Sequence, residues 1–181
     1  MPHIKDIETA HEFILKSGLC TLFKKQDAET PCFWDEVDIP DDPSLGETKW
    51  GPKVEHVWLW KTELPTLYPD DVFYGKIKGG HACLMSIDFL RNQHYPIHHK
   101  SIDACTPLAR EVFELIRLDP STTSILRRES IERFHCSKSQ FDTALKQLQV
   151  TLNIARLNEP NLKNDTWITF SELYPEISDG I

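Results

Sequence analysis

The sequence predicts an α+β protein whose second half folds as a winged helix-turn-helix module. Three short helical patterns lie between Thr106 and Leu148. Two β-prone runs follow at residues 151–157 and 166–170, and the polar stretch 158–161 between them has the composition of a turn. Three helices followed by a hairpin is the element order of a winged helix.

The first two helices of this module carry recognisable start and stop signals. Thr106 is a suitable N-cap, and Pro107 suits the first helical position because its missing N–H would be unpaired there. The turn at 119–121 ends this helix. Thr122 or Thr123 is expected to cap the second one.

The third helix begins at a capping box formed by Ser137 and Gln140. Its apolar positions recur at helical spacing and are predicted to face the core: Phe141, Ala144, Leu145 and Leu148. The opposite face is predicted to be polar and outward: Lys138, Ser139, Asp142, Thr143, Lys146 and Gln147. In the strands we expect Leu152 and Ile154 on one face, and Trp167 and Thr169 opposed to Ile168 and Phe170.

The first half opens with an amphipathic helix that Asp6 is expected to cap and Gly18 to end. Four prolines and a run of acids predict a loop over residues 24–53. Because Phe33 and Trp34 bury large areas, we expect them to hold this loop on the core.

An amphipathic stretch at residues 54–64 predicts a second helix of the first half, with Trp58 in register with its core positions. Pro65 is expected to stop this helix. β-prone runs at residues 72–77 and 81–85 then flank a Gly-Gly turn and predict a hairpin.

Charge is distributed unevenly along the chain. The 181 residues carry a net charge of −8 with a pI near 5.4, so a whole-chain electrostatic grip on nucleic acid is not expected. Residues 121–156 nevertheless hold six basic and three acidic side chains, a net charge of +3. This segment would orient the protein on an anionic partner, or its charge reflects chance.

Metal, redox and membrane sites are not predicted. The five cysteines form no C-x-x-C pair and are expected to be free thiols in a reducing compartment. Among His94, His98 and His99, Pro96 argues against the helix that a metal pair would need, so a polar linker is the preferred interpretation. No secretion signal or membrane span is seen, and we expect a cytoplasmic protein without cofactors.

Two motifs, WLWKTELP at residues 58–65 and FYGK at 73–76, resemble the core motifs of the AlkZ-related proteins, a bacterial winged-helix family. The likeness extends from residues 17–23 to residues 139–145 and covers most of the chain. It implies that the first half is a divergent second winged helix. We therefore expect two tandem modules sharing one core, at residues 1–95 and 100–174.

The family name refers to the AlkZ-type DNA glycosylases, which are similar in their tandem winged helices and use a Gln-x-Gln or Gln-x-Asp motif near the N-terminus. The corresponding region here offers only Gln26-Asp27, with no intervening residue. No catalytic residue is therefore assigned.

The preferred hypothesis is a nucleic-acid-binding accessory protein related to DNA repair, with double-stranded DNA as partner. The alternatives are a glycosylase-like enzyme with a replaced catalytic set and a protein-interaction module. The oligomeric state is left open. The predicted nucleic-acid-binding residues are Arg127, Arg128, Lys138, Ser139, Thr143, Lys146, Gln147 and Arg156.

Overall fold

The computed structural model describes residues 3–24, 29–159 and 164–180. The protein is an α+β chain with two small antiparallel sheets. It divides into two compact units. The first unit holds the residues up to Tyr74 together with His81–Leu90, and the second holds Gly75–Gly80 together with the residues from Arg91 onward.

The elements of the first half follow the order helix, strand, helix, helix, strand, strand, with one short helix after them. They are α1 (Ile7–Ser17), β1 (Leu19–Thr21), α2 (Phe33–Glu36), α3 (Pro52–Leu67), β2 (Val72–Ile77), β3 (His81–Ser86) and α4 (Ile87–Phe89). A short 3-10 turn at Pro43–Leu45 precedes α3. The strands pair in the order β1-β3-β2, and Cys20 lies opposite Leu84.

Helix α1 begins and ends where its signals predict. The Asp6 carboxylate accepts a hydrogen bond from the Thr9 backbone N–H at 2.9 Å, and the Thr9 hydroxyl accepts one from the Asp6 N–H at 3.2 Å. Gly18 closes the helix at a φ of +73°, with its N–H donating to the Ile14 carbonyl at 2.9 Å. Only glycine adopts this backbone conformation without strain.

The substitution Gly18→Ala is expected to lower the free energy of unfolding by about 1–2 kcal/mol, the cost of a left-handed backbone for a residue with a Cβ. The new Cβ would also lie 2.9 Å from the Phe89 ring, which must move. Urea denaturation followed by circular dichroism measures the loss. Lys16→Ala, an exposed change in the same helix, is the control, and equal stability of the two variants would contradict the expectation.

Helix α3 differs from its prediction at Pro65, which lies inside the helix rather than after it. A proline in the last turn removes a single N–H, and the chain remains helical for two further residues, to Leu67. The prediction that Pro65 stops the helix was therefore wrong by a short distance.

The position of Trp58 also differs from the prediction. Its side chain is 52% exposed, and the buried stripe of α3 instead contains Val57, Trp60 and Leu64. Lys61 is buried, with its ammonium 4.2 Å from the centre of the Trp58 ring and 5.2 Å from that of Tyr74. Contact with two aromatic faces offsets part of the cost of burying this cation.

The core of the first unit forms between α1, α3 and the sheet. Its buried members include Ile14, Cys20, Phe33, Trp60 and Leu84. Phe33 is fully buried and Trp34 packs against the core, so the prediction that these two residues hold the proline-rich loop is confirmed.

The hairpin predicted around the Gly-Gly turn is present as β2 and β3. The Gly80 N–H donates to the Ile77 carbonyl at 2.9 Å across the turn. Gly79 and Gly80 have φ values of +90° and +80°, which explains why two glycines occupy these positions.

After one short helix, the second half repeats the order helix, strand, helix, helix, strand, strand, and two short helices follow. Its elements are α5 (Tyr95–His98), α6 (Pro107–Leu118), β4 (Ser121–Thr122), α7 (Thr123–Phe134), α8 (Lys138–Val150), β5 (Ile154–Arg156), β6 (Thr166–Thr169), α9 (Phe170–Leu173) and α10 (Pro175–Ser178). A π-helical turn at Leu90–His94 precedes α5, and a 3-10 turn at Ile102–Ala104 precedes α6.

Three side chains cap the helices of this unit as predicted. Thr106 caps α6, Thr122 caps α7 and Ser137 caps α8, and each hydroxyl accepts a hydrogen bond from the backbone N–H three residues later. The Gln140 side chain completes the capping box by accepting from the Ser137 N–H at 2.8 Å.

The sheet of the second unit has the order β4-β6-β5. The two-residue strand β4 was not predicted. Strand β5 starts later than predicted, because Leu152 adopts a left-handed φ of +56° before it. Phe170 is buried but begins α9 instead of ending the last strand. The predicted turn at residues 158–161 lies partly outside the described residues.

One cluster of buried apolar side chains joins α6, α7, α8 and the sheet of the second unit. It includes Ile116, Leu126, Phe141, Leu148 and Trp167. The Trp167 indole N–H donates to the Thr123 hydroxyl at 2.8 Å, which ties β6 to the start of α7. In the part of the chain that the structure describes, no helix has the length and apolarity needed to cross a bilayer.

Candidate nucleic-acid interface

Helix α8 presents one buried and one exposed face. Phe141, Ala144, Leu145 and Leu148 are buried, as the sequence predicted. The exposed residues follow the opposite face: Lys138, Ser139, Asp142, Thr143 and Lys146. The apolar stripe therefore fixes the rotation of the helix and leaves its lysines and hydroxyls in solvent.

Asp142 is the acidic residue in the middle of the exposed face, and its charge is matched by Arg127. The Arg127 guanidinium lies 2.8 Å from the Asp142 carboxylate and 5.6 Å from the centre of the Phe141 ring. This pair links α7 to α8. Asp142 is consequently a weaker obstacle to an anion than the sequence suggested.

An open depression of about 490 Å³ lies along the exposed face of α8. It is lined by Lys76, Lys138, Ser139, Asp142, Thr143 and Lys146. Lys76 lies near the end of β2, in the segment Gly75–Gly80 that belongs to the second unit. The depression thus combines three lysines and two hydroxyls with one aspartate that is already paired.

Lys76 is half-buried, and its surroundings disfavour its charge. Burial lowers the pKa of Lys76, and the positive charge of Lys146 lowers it further. Asp165 and Asp142 act in the opposite direction without cancelling the effect. Burial is the largest cause of the lowered pKa, and Lys146 lies near enough to Lys76 for the two positive charges to repel each other.

The remaining predicted contact residues fall into different environments. Arg128 is exposed on α7. The Gln147 side chain is half-buried, and its carbonyl oxygen accepts hydrogen bonds from the Thr106 N–H at 3.1 Å and the Thr106 hydroxyl at 2.9 Å. Gln147 therefore supports the start of α6 as well as lying beside the exposed face.

Arg156 does not lie on the surface as the sequence suggested. Its side chain is 4% exposed, and its guanidinium is 3.5 Å from the Asp165 carboxylate. All three residues of β5 are buried, so both faces of this short strand are covered at Arg156. We therefore leave Arg156 out of the candidate interface.

Lys76 is the residue that the sequence did not single out. It lies in the FYGK motif, far along the chain from α8, and no local pattern connects the two. Only the tertiary arrangement brings this lysine beside Lys146.

The histidine cluster is helical, contrary to the prediction. Residues 90–98 form a π-helical turn followed by α5, and Pro96 lies in the first turn of α5, where its missing N–H costs little. The rings of His94 and His98 are 4.4 Å apart. Among the described residues no third ligand of His, Cys, Asp or Glu type completes a metal site.

Gln26-Asp27 is the pair that stands in place of the glycosylase motif. It lies in residues 25–28, outside the described residues.

Comparison with known proteins identifies a family. Neither the curated proteins nor the solved structures give a significant match. The sequence model described as "AlkZ related" matches residues 4–165, which is most of the chain and includes both the hairpin lysine and all of α8. The protein therefore belongs to the AlkZ-related family.

Proposed function

We propose that this protein binds double-stranded DNA through the exposed face of α8, as an accessory protein in DNA repair. The observation that carries the proposal is the set of lysines and hydroxyls that α8 turns toward solvent while its apolar stripe is buried. Membership of the AlkZ-related family supports a connection with DNA repair.

The topology of each half supports two winged helices. The order helix, strand, helix, helix, strand, strand occurs in both, and in both sheets the third strand lies between the first and the second. In the second half α7 and α8 correspond to the helix-turn-helix, and β5 and β6 to the wing. In the first half α2 is only four residues long, so that module is the more divergent one.

Helix α8 is the second helix of the proposed helix-turn-helix, which is the one that enters the major groove in such proteins. Lys138 and Ser139 lie in its first turn, and Thr143 follows one turn later. Lysine binds phosphates and guanine edges, while short hydroxyl side chains reach either base edges or phosphates.

The overall acidity of the chain does not prevent such binding. A net charge of −8 weakens long-range attraction to DNA. Short-range contacts depend on the local surface, where Lys76, Lys138 and Lys146 outnumber the paired Asp142. We therefore expect modest affinity that falls steeply with salt.

The double variant Lys138→Glu/Lys146→Glu is expected to weaken binding to a 20-base-pair duplex by roughly 100-fold at low salt, because two phosphate contacts become repulsive. Fluorescence anisotropy at several salt concentrations measures the affinity. The matched control is the double variant Arg110→Glu/Arg117→Glu, which makes the same charge change on exposed positions of α6.

An equal loss in the two double variants would show a general charge effect and contradict an interface on α8. A wild-type affinity no higher than that of an unrelated acidic protein would contradict DNA binding altogether. Capture of a protein partner after nuclease treatment would then favour the protein-interaction function.

A glycosylase-like activity is the alternative that the family relation supports. Release of free base from alkylated duplex DNA would establish it. Its absence, together with specific duplex binding, is the result expected for an accessory protein.

A further inference from the structure

We propose that the depression on α8 is a binding site, or seat, for one phosphate group. Lys76 of the hairpin is the cation on which this binding depends most. The inference rests on the proposed function for the source of the phosphate, a phosphodiester of the DNA backbone. A free phosphate ion offers the same chemistry and is the other source to be distinguished.

The groups around the depression match an oxyanion in type and number. Lys76, Lys138 and Lys146 supply positive charge, and Ser139 and Thr143 supply hydroxyl donors. Phosphate oxygens accept from ammonium and hydroxyl groups alike. Seats of this composition hold anions because each oxygen finds a donor while the total charge is neutralised.

These donors are not used by the rest of the described chain. No carboxylate of the described residues lies within 4.0 Å of the ammonium groups of Lys76, Lys138 or Lys146, whereas Asp142 is 2.8 Å from Arg127. Within the described residues the three lysines of the depression therefore form no ion pair, and the one acid on its wall is paired with Arg127.

The hairpin turn holds the lysines close together. A Cβ at Gly80 would lie 2.6 Å from the Cδ of Lys146, so the turn approaches the aliphatic part of this side chain as closely as a glycine allows. Lys76 lies on the strand that leads into the same turn. Burial and Lys146 lower the pKa of Lys76, and a bound anion would relieve the repulsion between the two cations.

The test compares Lys76→Gln with Lys78→Gln in the full chain. Lys78 is exposed in the turn of the same hairpin and does not line the depression. We expect Lys76→Gln to weaken duplex binding about tenfold at low salt and to reduce the slope of log K against log salt by about one, and Lys78→Gln to change both far less. Lys76→Arg should retain most of the slope.

Equal salt slopes for Lys76→Gln, Lys78→Gln and the wild type would overturn the assignment. Circular dichroism of each variant confirms that the fold is retained. Should Lys76→Gln unfold, the wild type carries the test through its Lys76 signal in the phosphate titration described next, with Lys76→Arg used to assign that signal, and the absence of a shift would overturn the assignment.

A second measurement tests the phosphate seat independently of DNA binding. Inorganic phosphate is titrated into the wild type and Lys76→Gln, and the lysine ammonium signals are followed by NMR. A saturable shift of the Lys76 signal without duplex binding would support a seat for free phosphate and refute DNA binding. If the Lys76 signal does not shift and duplex binding does not depend on Lys76, the phosphate seat is refuted while DNA binding is not.

Discussion

Replacing Phe141 by alanine is expected to lower the free energy of unfolding of the second unit by about 3–5 kcal/mol. Phe141 is fully buried at the point where α6, α7 and α8 meet, and its ring also lies under the Arg127 guanidinium. Removing the ring leaves a cavity that neighbouring side chains fill only in part. Because a domain is stable by about 5–15 kcal/mol, this loss approaches complete unfolding.

Urea denaturation followed by far-UV circular dichroism measures the effect of Phe141→Ala. Thr143→Ala, on the exposed face of the same helix, serves as the control for stability and should change it by less than about 0.5 kcal/mol. Comparable midpoints for the two variants would show that α8 does not pack on this core. The interface proposed for its opposite face would then lose its basis.

Acidification is expected to destabilise the protein between about pH 6.5 and pH 4 through His94. Burial lowers the pKa of His94 to about 4 from an ordinary value of 6.5, and the charge of neighbouring His98 contributes to this. The unfolded chain therefore binds a proton in this window that the folded chain excludes. Stability from this group is present above pH 6.5 and is lost as the pH falls to 4.

The loss from His94 amounts to about 3 kcal/mol over that window, with no further change below it. Burial lowers the pKa of His99 as well, which adds in the same direction. Chemical denaturation at a series of pH values measures the slope. His94→Gln should flatten it, whereas the exposed His81→Gln should leave it unchanged. An unchanged slope in His94→Gln would assign the acid sensitivity to other groups.

Local chemistry in the sequence predicted much of this fold. The caps at Asp6, Thr106 and Ser137 and the Gly79-Gly80 turn depend on hydrogen bonds and backbone angles within a few residues. Such features can be predicted from sequence because both partners of each contact lie in the same short segment. The buried apolar stripe of α8 was likewise predicted from the helical spacing of its residues.

Features that depend on distant partners were missed. Strand β4 exists only through its pairing with β6, and two residues carry no periodicity of their own. Trp58 matched an apolar pattern but is exposed, since hydrophobicity alone does not decide which of two neighbouring tryptophans faces the core. Arg156 is buried with its guanidinium 3.5 Å from the carboxylate of Asp165, a contact that the pattern of its own strand does not indicate.

The candidate site was predicted only in part, because one of its residues is distant in sequence from the others. Its α8 residues follow from one helical pattern, so Lys138, Ser139, Thr143 and Lys146 were identified together. More than half of the residues of the second unit lie between Lys76 and these residues along the chain. A charged residue in a strand does not indicate which helix it will approach.

The interleaving of the two units along the chain has a practical consequence for dissecting the protein. A fragment that starts at Arg91 would carry the whole of α6, α7 and α8 but would lack the segment Gly75–Gly80 that is grouped with them. Such a truncation would remove Lys76 without any point mutation and expose the side of Lys146 that the turn covers. Loss of function in that fragment would therefore report on the missing hairpin as much as on the missing N-terminal half.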